Sequence, residues 1–554
     1  MSTTAYPTVT SSGQPVLILK EGTGQTRGRD AQRNNIMAAK LIAEILKSSL
    51  GPRGMDKMLV DSLGDLTITN DGATILKEID VQHPSAKMMV EIAKTTDNEV
   101  GDGTTSAVVL AGDLLEKAEE LIEKGVHSTI IVDGYGKAAD QALKILNKMA
   151  VKISPGDRDW LVKVAKTSME TKMVGKDSII LANLVVDALL QVAEKRPDGT
   201  YKVDIDDVKV EKKAGGSVPE TKLVKGLVID KEIVHGGMPK RIDKAKIAII
   251  NAPLEIEKTE FDAKININNP EQIKLFLDEE NRMLKTMVDR IAEAGANFVA
   301  CQKGIDDVAQ HYLAKAGIAA VRRVKQSDIE KLAKATGVRV VSNLEDLTPD
   351  ELGFAALIEE RKIEEDKWVF IEGCKNPKSV TILARGGTQR IVDEGERSIH
   401  DALSVVKDVM QKPAIVAGGG APEAHVAHEL REWSHTLSGR EQLAVQKFAD
   451  AIEVIPLTLA ENAGLDPIDI QVELRAKHGR GEMWAGVGIA DGGVVDIYEK
   501  GVYEPLSVKE QIIKSATESA NMILRIDDVI AASKMAPKGM PGRPGEEMPP
   551  TGED

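Results

Sequence analysis

The sequence predicts a multi-domain chain of α and α/β units: a mainly helical unit assembled from both ends, an α/β unit inserted between them, and a small connecting unit. Three observations carry this. At 554 residues the chain is too long for one hydrophobic core and calls for about three domains. Loops of one chemistry, glycine-rich with interleaved Asp and Thr, lie at 50–106 and again at 418–496, so the chain leaves one unit and later returns to it. Apolar residues recur at three- and four-residue spacing near both ends, whereas the middle holds short β-rich runs.

Taken in order, helical spacing predicts helices over 34–50, 86–96, 106–123, 129–148, 424–433, 441–453 and 505–526. A strand is expected at 66–69, and 414–417 is a short apolar run. In the middle, 246–251, 298–301, 318–321, 338–341 and 369–372 read as strands, alternating with helices such as 326–336, which suggests an α/β unit over about 226–372. Within it, Asn268-Asn269-Pro270-Glu271 is a helix start, followed by an apolar stripe of Ile273, Phe276, Leu277, Leu284, Met287, Val288 and Ile291 on a highly charged helix. The plain reading is that this stripe packs on the unit's own sheet.

The loops carry the chemistry. Gly101-Asp102-Gly103-Thr104-Thr105-Ser106 places one carboxylate and three hydroxyls on a glycine hinge that opens a long helix. Unpaired amides and the positive end of the dipole at a helix start attract anions. A carboxylate beside such a site is how a hard divalent cation is held against phosphate oxygens. Leu50-Gly51-Pro52-Arg53-Gly54-Met55-Asp56-Lys57 suits a sharp turn that lets backbone approach a ligand. Thr69-Asn70-Asp71-Gly72 follows a strand and reads as a turn, and Gly418-Gly419-Gly420-Ala421-Pro422-Glu423 leads from an apolar run into a helix with Pro422 near its first turn. Each loop alone is equally a plain turn or an N-capped helix start.

Together the strings LGPRGMDK (50–57), TNDGATIL (69–76), GDGTTS (101–106), GGGAPE (418–423) and GVYEP (501–505) resemble the chaperonins, from about Gly28 to Ile530. The middle segment favours group II, the thermosome of archaea and its eukaryotic cytosolic relatives. The resemblance implies an equatorial domain at 1–154 and 412–534, an intermediate domain at 155–225 and 373–411, an apical domain at 226–372 with a helical lid protrusion at about 254–290, and a tail at 535–554. It implies ATP and Mg²⁺ as cofactors. Leu50, Gly51 and Pro52 would line the adenine and phosphate side; Asn70 and Gly72 would join them. Asp102 would ligate Mg²⁺, and Gly103, Thr104, Thr105 and Ser106 would donate to phosphate oxygens. Gly419 would pass under the ribose and base, Asp496 would accept from ribose hydroxyls, and Lys172 would sense the γ-phosphate. Asp401, helped by Asp71, would orient the attacking water and take its proton. From the residues alone, Asp401 is an ordinary surface acid pairing with Arg397, and Asp496 a turn acid. The resemblance further implies non-native client proteins and like subunits in a double ring as partners, with no separate lid co-chaperonin. Pro422 departs from the family pattern, and His425 and His428 are unusual neighbours that could share a helix face and bind metal, with no third ligand evident.

Composition excludes other classes. The net charge is −15 with no basic stripe, and aromatics are only 3%, which argues against nucleic acid as a partner. Two cysteines, Cys301 and Cys374, imply neither a disulfide framework nor a cysteine metal site, and fit a reducing compartment. No apolar run approaches the roughly 18 residues of a membrane span, and the first residues lack a secretory pattern, so a cytoplasmic location without membrane partners is expected. The tail at 535–554, rich in proline and glycine, is expected to be disordered. No Gly-x₄-Gly-Lys-Ser/Thr string and no helix-opening Gly-x-Gly-x-x-Gly occurs. Two other classes stay open: a nucleotide-binding structural subunit with little folding activity, and a monomeric ATP-dependent enzyme acting on a small molecule. The first is opposed by the presence of Asp71, Asp102 and Asp401, the second by the lack of a nucleophile–base constellation in the middle.

Overall fold

The computed structural model describes residues 8–9, 15–16, 24–61, 63–172, 174–256, 270–374 and 378–531. The expected lid segment falls partly outside these residues, and the tail at 535–554 wholly so.

The N-terminal stretch is helical: α1 Gly28–Lys47, α2 Gly72–Glu78, α3 Pro84–Val100, α4 Thr104–Glu123 and α5 Ser128–Met149. α1 starts before the predicted 34 because its first turn is polar and carries no apolar period; Asp30 there suits the positive end of the helix. Beyond it, Ile36, Ala39, Ala43 and Leu46 are buried at three- and four-residue spacing, while Met37 and Leu41 face out. α4 is buried on almost every side, and forms the axis of a core that also takes residues from far along the chain, such as Phe448, Leu430 and Ala516. Those belong to the last stretch, described below.

The chain then forms α6 Arg158–Glu170 and α7 Ser178–Val192, neither predicted. Strand Val208–Ala214 runs parallel to Val380–Gly386, and Lys222–Val224 pairs antiparallel on the latter's other edge. Next comes a mixed six-stranded sheet in the order Gly226–Ile229, Asp366–Cys374, Gly353–Ile363, Arg241–Ile250, Phe298–Cys301, Ala319–Val321. Its parallel edge is made by strand–helix–strand units through α8 Pro270–Glu293 and α9 Asp307–Lys315; α10 Gln326–Thr336 follows. Those central strands are apolar throughout because both faces are covered: Phe298–Cys301 is buried at every position.

Three differences from the sequence reading stand out here. Val338–Val341 forms no strand among the described residues; only an isolated bridge joins Val341 to Ile250. Gly353–Ile363 is a full strand that periodicity hid, since exposed and half-buried Glu359, Glu360 and Arg361 interrupt its apolar positions. In α8 the stripe divides: Leu284, Val288 and Ile291 pack into the sheet's core, whereas Leu275, Phe276 and Leu277 are exposed.

After the sheet, α11 Gln389–Gln411 packs on α6 and α7, and the chain returns to the helical core through strand Ala414–Ala417, α12 Ala421–Ser434, α13 Arg440–Ile452, α14 Val454–Asn462, α15 Pro467–Gly479 and α16 Leu506–Leu524. Asp528–Ala531 pairs antiparallel with Gly24–Arg27, bringing the two ends of the described chain together. Buried apolar side chains fall into three main clusters. One joins 36–149 with 414–524, one lies within 227–371, and one joins 161–208 with 380–415.

Candidate functional site

The starts of α2, α4 and α12 and the turn after α1 converge on one cavity of about 420 Å³. α3 ends and α4 begins through Gly101-Asp102-Gly103, where both glycines adopt left-handed backbone (φ 66° and 78°) that a side chain would strain. Gly103 is the N-cap of α4 and has no side chain to cap it, so first-turn amides of Thr104, Thr105 and Ser106 are left for a ligand. The Asp102 carboxylate is held by the Gly103 amide, which donates to Oδ1 at 2.6 Å. α12 starts at Gly420, directly after Gly419, but offers fewer free donors: its Ala421 amide bonds the Gly418 carbonyl at 3.2 Å and Pro422 has no amide hydrogen.

The turn after strand Leu66–Thr69 is not a free Asn-Asp-Gly turn but a helix start. Asp71 caps α2, its Oδ2 accepting from the Thr74 amide at 2.8 Å, and the Thr104 hydroxyl donates to its Oδ1 at 3.3 Å. Asn70 Nδ2 donates to the Thr171 carbonyl at 2.7 Å, tying this turn to the end of α6. Gly72 does not line the cavity; a Cβ there would lie 2.6 Å from Thr105 Oγ1, so glycine is what lets this turn reach the start of α4. On the opposite side, Asn462 at the end of α14 donates to the carbonyls of Lys47 and Leu50, both at 2.9 Å. This satisfies the end of α1 and fixes the Leu50-Gly51-Pro52 turn.

Leu50, Gly51, Pro52, Asn70, Asp71, Asp102, Gly103, Thr104, Thr105, Ser106, Lys172, Asp401 and Gly419 all border this one cavity. Asp401, on α11, is only 8% exposed. It pairs with Lys172 rather than with Arg397, which instead bonds Glu394 at 2.5 Å. Asp496 lies outside the lining: it ends strand Gly493–Asp496, is exposed, and accepts from the Glu499 amide at 3.0 Å. Its neighbour Ile497 borders the cavity instead.

Sequence reasoning missed a buried charged cluster in the wall. Lys509 on α16 contacts Glu423 at 2.8 Å and Glu504 at 2.6 Å. Burial alone would depress the Lys509 ammonium, but the two carboxylates outweigh it and hold the group charged. Glu504 is shifted upward by burial, against the pull of Lys509 and with Glu423 and Asp102 adding to the rise. Glu504 sits within the quoted string GVYEP, so the signal was in view; nothing local told which acid of that region turns inward. Asp97 on α3 is likewise raised, by burial first and then by Asp71 and Asp102. The cavity is thus bordered by the carboxylates of Asp71, Asp102, Asp401 and Glu504, two lysines, Lys172 and Lys509, and the positive start of α4.

This donor set fits a hard divalent cation. Asp102 and Asp71 supply carboxylate oxygens, and neither is in an ion pair among the described residues. No group of three or more His, Cys, Asp or Glu side chains is poised around a common point among the described residues, as suits an ion held by one or two carboxylates and completed by phosphate oxygens. His425 faces His478, with ring centroids 5.6 Å apart, well away from this cavity's lining.

A cavity of about 420 Å³ lined by the uncapped start of α4, in a chain that threads out to an α/β unit and back, is the arrangement of a chaperonin. The chain belongs to the TCP-1/cpn60 chaperonin family, matching it over residues 42–534. It is 60% identical over 539 residues to the thermosome subunit alpha of Archaeoglobus fulgidus, covering 97% of this chain and 99% of that one. It is 58% identical to the thermosome subunit of Methanopyrus kandleri, over 95% of this chain and 96% of the relative. To the thermosome subunit alpha of Sulfolobus acidocaldarius it is 57% identical, over 94% and 95%. This is a group II chaperonin, a molecular chaperone. No described helix is long and apolar enough to cross a membrane.

Proposed function

We propose that the chain is an ATP-hydrolysing subunit of a double ring, which encloses non-native proteins and couples closure of a built-in lid to ATP. The observation that carries this is the single cavity shared by the turns at 50–52, 70–71, 101–106 and 419 with Asp401 of α11 and Lys172 beyond α6. The three separate cores support a division into an equatorial domain at 1–154 and 412–534, an intermediate domain at 155–225 and 373–411, and an apical domain at 226–372. The exposed Leu275, Phe276 and Leu277 at the start of α8 support a protrusion that meets clients or neighbouring lids.

In this reading the amides at the start of α4 and the hydroxyls of Thr104, Thr105 and Ser106 take the phosphates of ATP. Gly419 and the 50–52 turn flank the sugar and base. Glu504, whose Oε1 lies against Gly418, is the better-placed acceptor for the sugar hydroxyls than the outward Asp496. Mg²⁺, held by Asp102 with Asp71 near, neutralises phosphate charge when bound. Asp401 then orients water and takes its proton as the new O–P bond forms and the bridge to the β-phosphate breaks. Lys172 holds Asp401 in the structure described, so a γ-phosphate that draws off the Lys172 ammonium frees the base at the moment substrate arrives. Because Asp401 and Lys172 lie outside the helical core, that exchange transmits nucleotide state to the rest of the chain.

The test is phosphate release and ATP binding on assemblies of verified size. Wild type should bind and hydrolyse ATP with Mg²⁺, and Asp102→Ala should lose the Mg²⁺-dependent part of the affinity. Binding that ignores both Mg²⁺ and Asp102 would dismiss this assignment.

A further inference from the structure

The three-stranded and six-stranded sheets meet at one desolvated charge. Lys209, near the start of strand Val208–Ala214, is 7% exposed, and its ammonium has three acceptors within 2.8 Å. It donates to the Val228 carbonyl at 2.8 Å, and pairs with Glu211 at 2.7 Å and with Asp328 at 2.8 Å. Val228 belongs to the edge strand of the six-stranded sheet and Asp328 to the first turn of α10, so two of the three partners lie across the junction. Asp328 is 2% exposed; Lys209 contacts its Oδ1, and its Oδ2 has no hydrogen-bond partner among the described residues. Among the described residues, each of the other ionic contacts between the two sheets' units has a partner open to solvent: Lys334 with Asp207 at 2.8 Å and Asp204 at 3.9 Å, Lys213 with the exposed Asp366, and the buried Arg385 with the exposed Glu364 at 2.6 Å. Lys331 is depressed by its burial and by the nearby Lys209, which leaves it poorly suited to replace Lys209.

A buried charge with no water to fall back on is severe to break and costs little more to keep once made. A pair open to solvent contributes little in either direction. We infer that Lys209 is a positioning residue: clamped by Asp328, Glu211 and the Val228 carbonyl, it fixes the six-stranded unit on the three-stranded one and sets how readily that unit leaves the orientation seen here. Its link to the ATP cycle rests on the function proposed above; the latch itself does not.

Hydrogen exchange on the assembled full-length protein without nucleotide tests the latch. With Lys209→Met, amides of Gly226–Ile229 and of the first turn of α10 should exchange about tenfold faster or more, while Phe298–Cys301 stays protected. Lys209→Arg, or Asp328→Asn added to Lys209→Met, should restore much of the protection. Unchanged exchange at both places overturns the inference. Should Lys209→Met also loosen Phe298–Cys301, Asp328→Asn alone decides: local acceleration supports the latch, wild-type exchange overturns it. A purely structural lysine would not shift the ATP response. Here the ATP concentration that half-protects the six-stranded unit from protease should fall by about tenfold in Lys209→Met, at unchanged hydrolysis per site. An unchanged midpoint removes Lys209 from control of the motion. A wild type with no ATP-dependent protection would count against the proposed function and leave the nucleotide-free result standing.

Discussion

Two buried lysine–aspartate pairs in this chain look alike and are built for opposite purposes. Lys172–Asp401 borders the cavity, and the Lys172 ammonium has one recorded partner, the Asp401 carboxylate. Lys209–Asp328 lies at the sheet junction, and the ammonium there is saturated by three acceptors. The first pair can trade its partner for a phosphate, because a cavity adjoins it and two protons remain unspent. The second has nothing to trade with and must be broken outright. Burial alone therefore does not say whether an ion pair is a switch or a clamp; the count of satisfied donors and the presence of an adjoining cavity do.

The largest effect should come from the exchangeable pair. Asp401→Ala is expected to slow hydrolysis by on the order of 10²–10⁴-fold while ATP binding persists, read by single-turnover phosphate release. Hydrolysis within a few-fold of wild type would break the contrast, making Lys172–Asp401 one more structural pair. Next comes stability. Lys209→Met should cost about 3–5 kcal/mol, since Asp328 and Glu211 are left buried without a counter-charge. Lys172→Met should cost only about 1 kcal/mol, because the cavity gives Asp401 access to water. Denaturant unfolding of the two variants side by side measures the difference, and equal losses would erase it.

A third carboxylate sharpens the comparison. Asp408 lies two turns beyond Asp401 on α11, buried, with Lys407 at 3.7 Å and the Ser507 hydroxyl donating at 3.2 Å. Lacking a close cation, it is pushed up to about 6, chiefly by burial. Its folded-state pKa exceeds the ordinary carboxylate value, so folding takes up a proton and stability falls as pH rises from about 4 to about 6. Asp408→Asn should therefore stabilise the protein by about 1–3 kcal/mol above pH 7 and by nothing near pH 4, checked by denaturation at both. The smallest effect is expected at Asp496. Asp496→Ala should leave ATP affinity within about twofold of wild type by calorimetry, as for any exposed side chain away from the site.

What was legible in the sequence was what is local. The start of α4 is marked by glycines and an apolar period within a few residues, and the helix begins two residues from the predicted position. The strand at 66–69 falls where the sequence placed it, and the apolar run at 414–417 proves to be a strand. Elements whose evidence is tertiary were hidden. Gly353–Ile363 owes its existence to pairing with Asp366–Cys374 and Arg241–Ile250, not to an apolar run of its own. Val338–Val341 has the right residues but no neighbouring strand beyond one bridge. At the site, Asp401 and Lys172 are 229 residues apart, and no spacing rule joins them; only the family resemblance named both. Asp496 ends a strand paired with Ala485–Gly488 and faces out, whereas Glu504 lies on a strand paired with Ala414–Ala417 and borders the cavity, a difference set by tertiary pairing that composition does not encode. The Lys209 clamp was invisible for the same reason: a lysine in a β-rich stretch reads as solvated until the partners from α10 and the edge strand are in place.

The central claim is that Asp401 performs the hydrolysis on which folding depends. The measurement that tests it most directly is ATP-dependent refolding of an aggregation-prone client by size-verified assemblies, wild type against Asp401→Ala, with ATP binding followed in parallel. Wild type should release folded client, and the variant should bind ATP yet neither hydrolyse it nor cycle client. A variant that refolds client at the wild-type rate would contradict the role of Asp401, and a wild type that hydrolyses ATP without raising client yield would contradict the coupling itself.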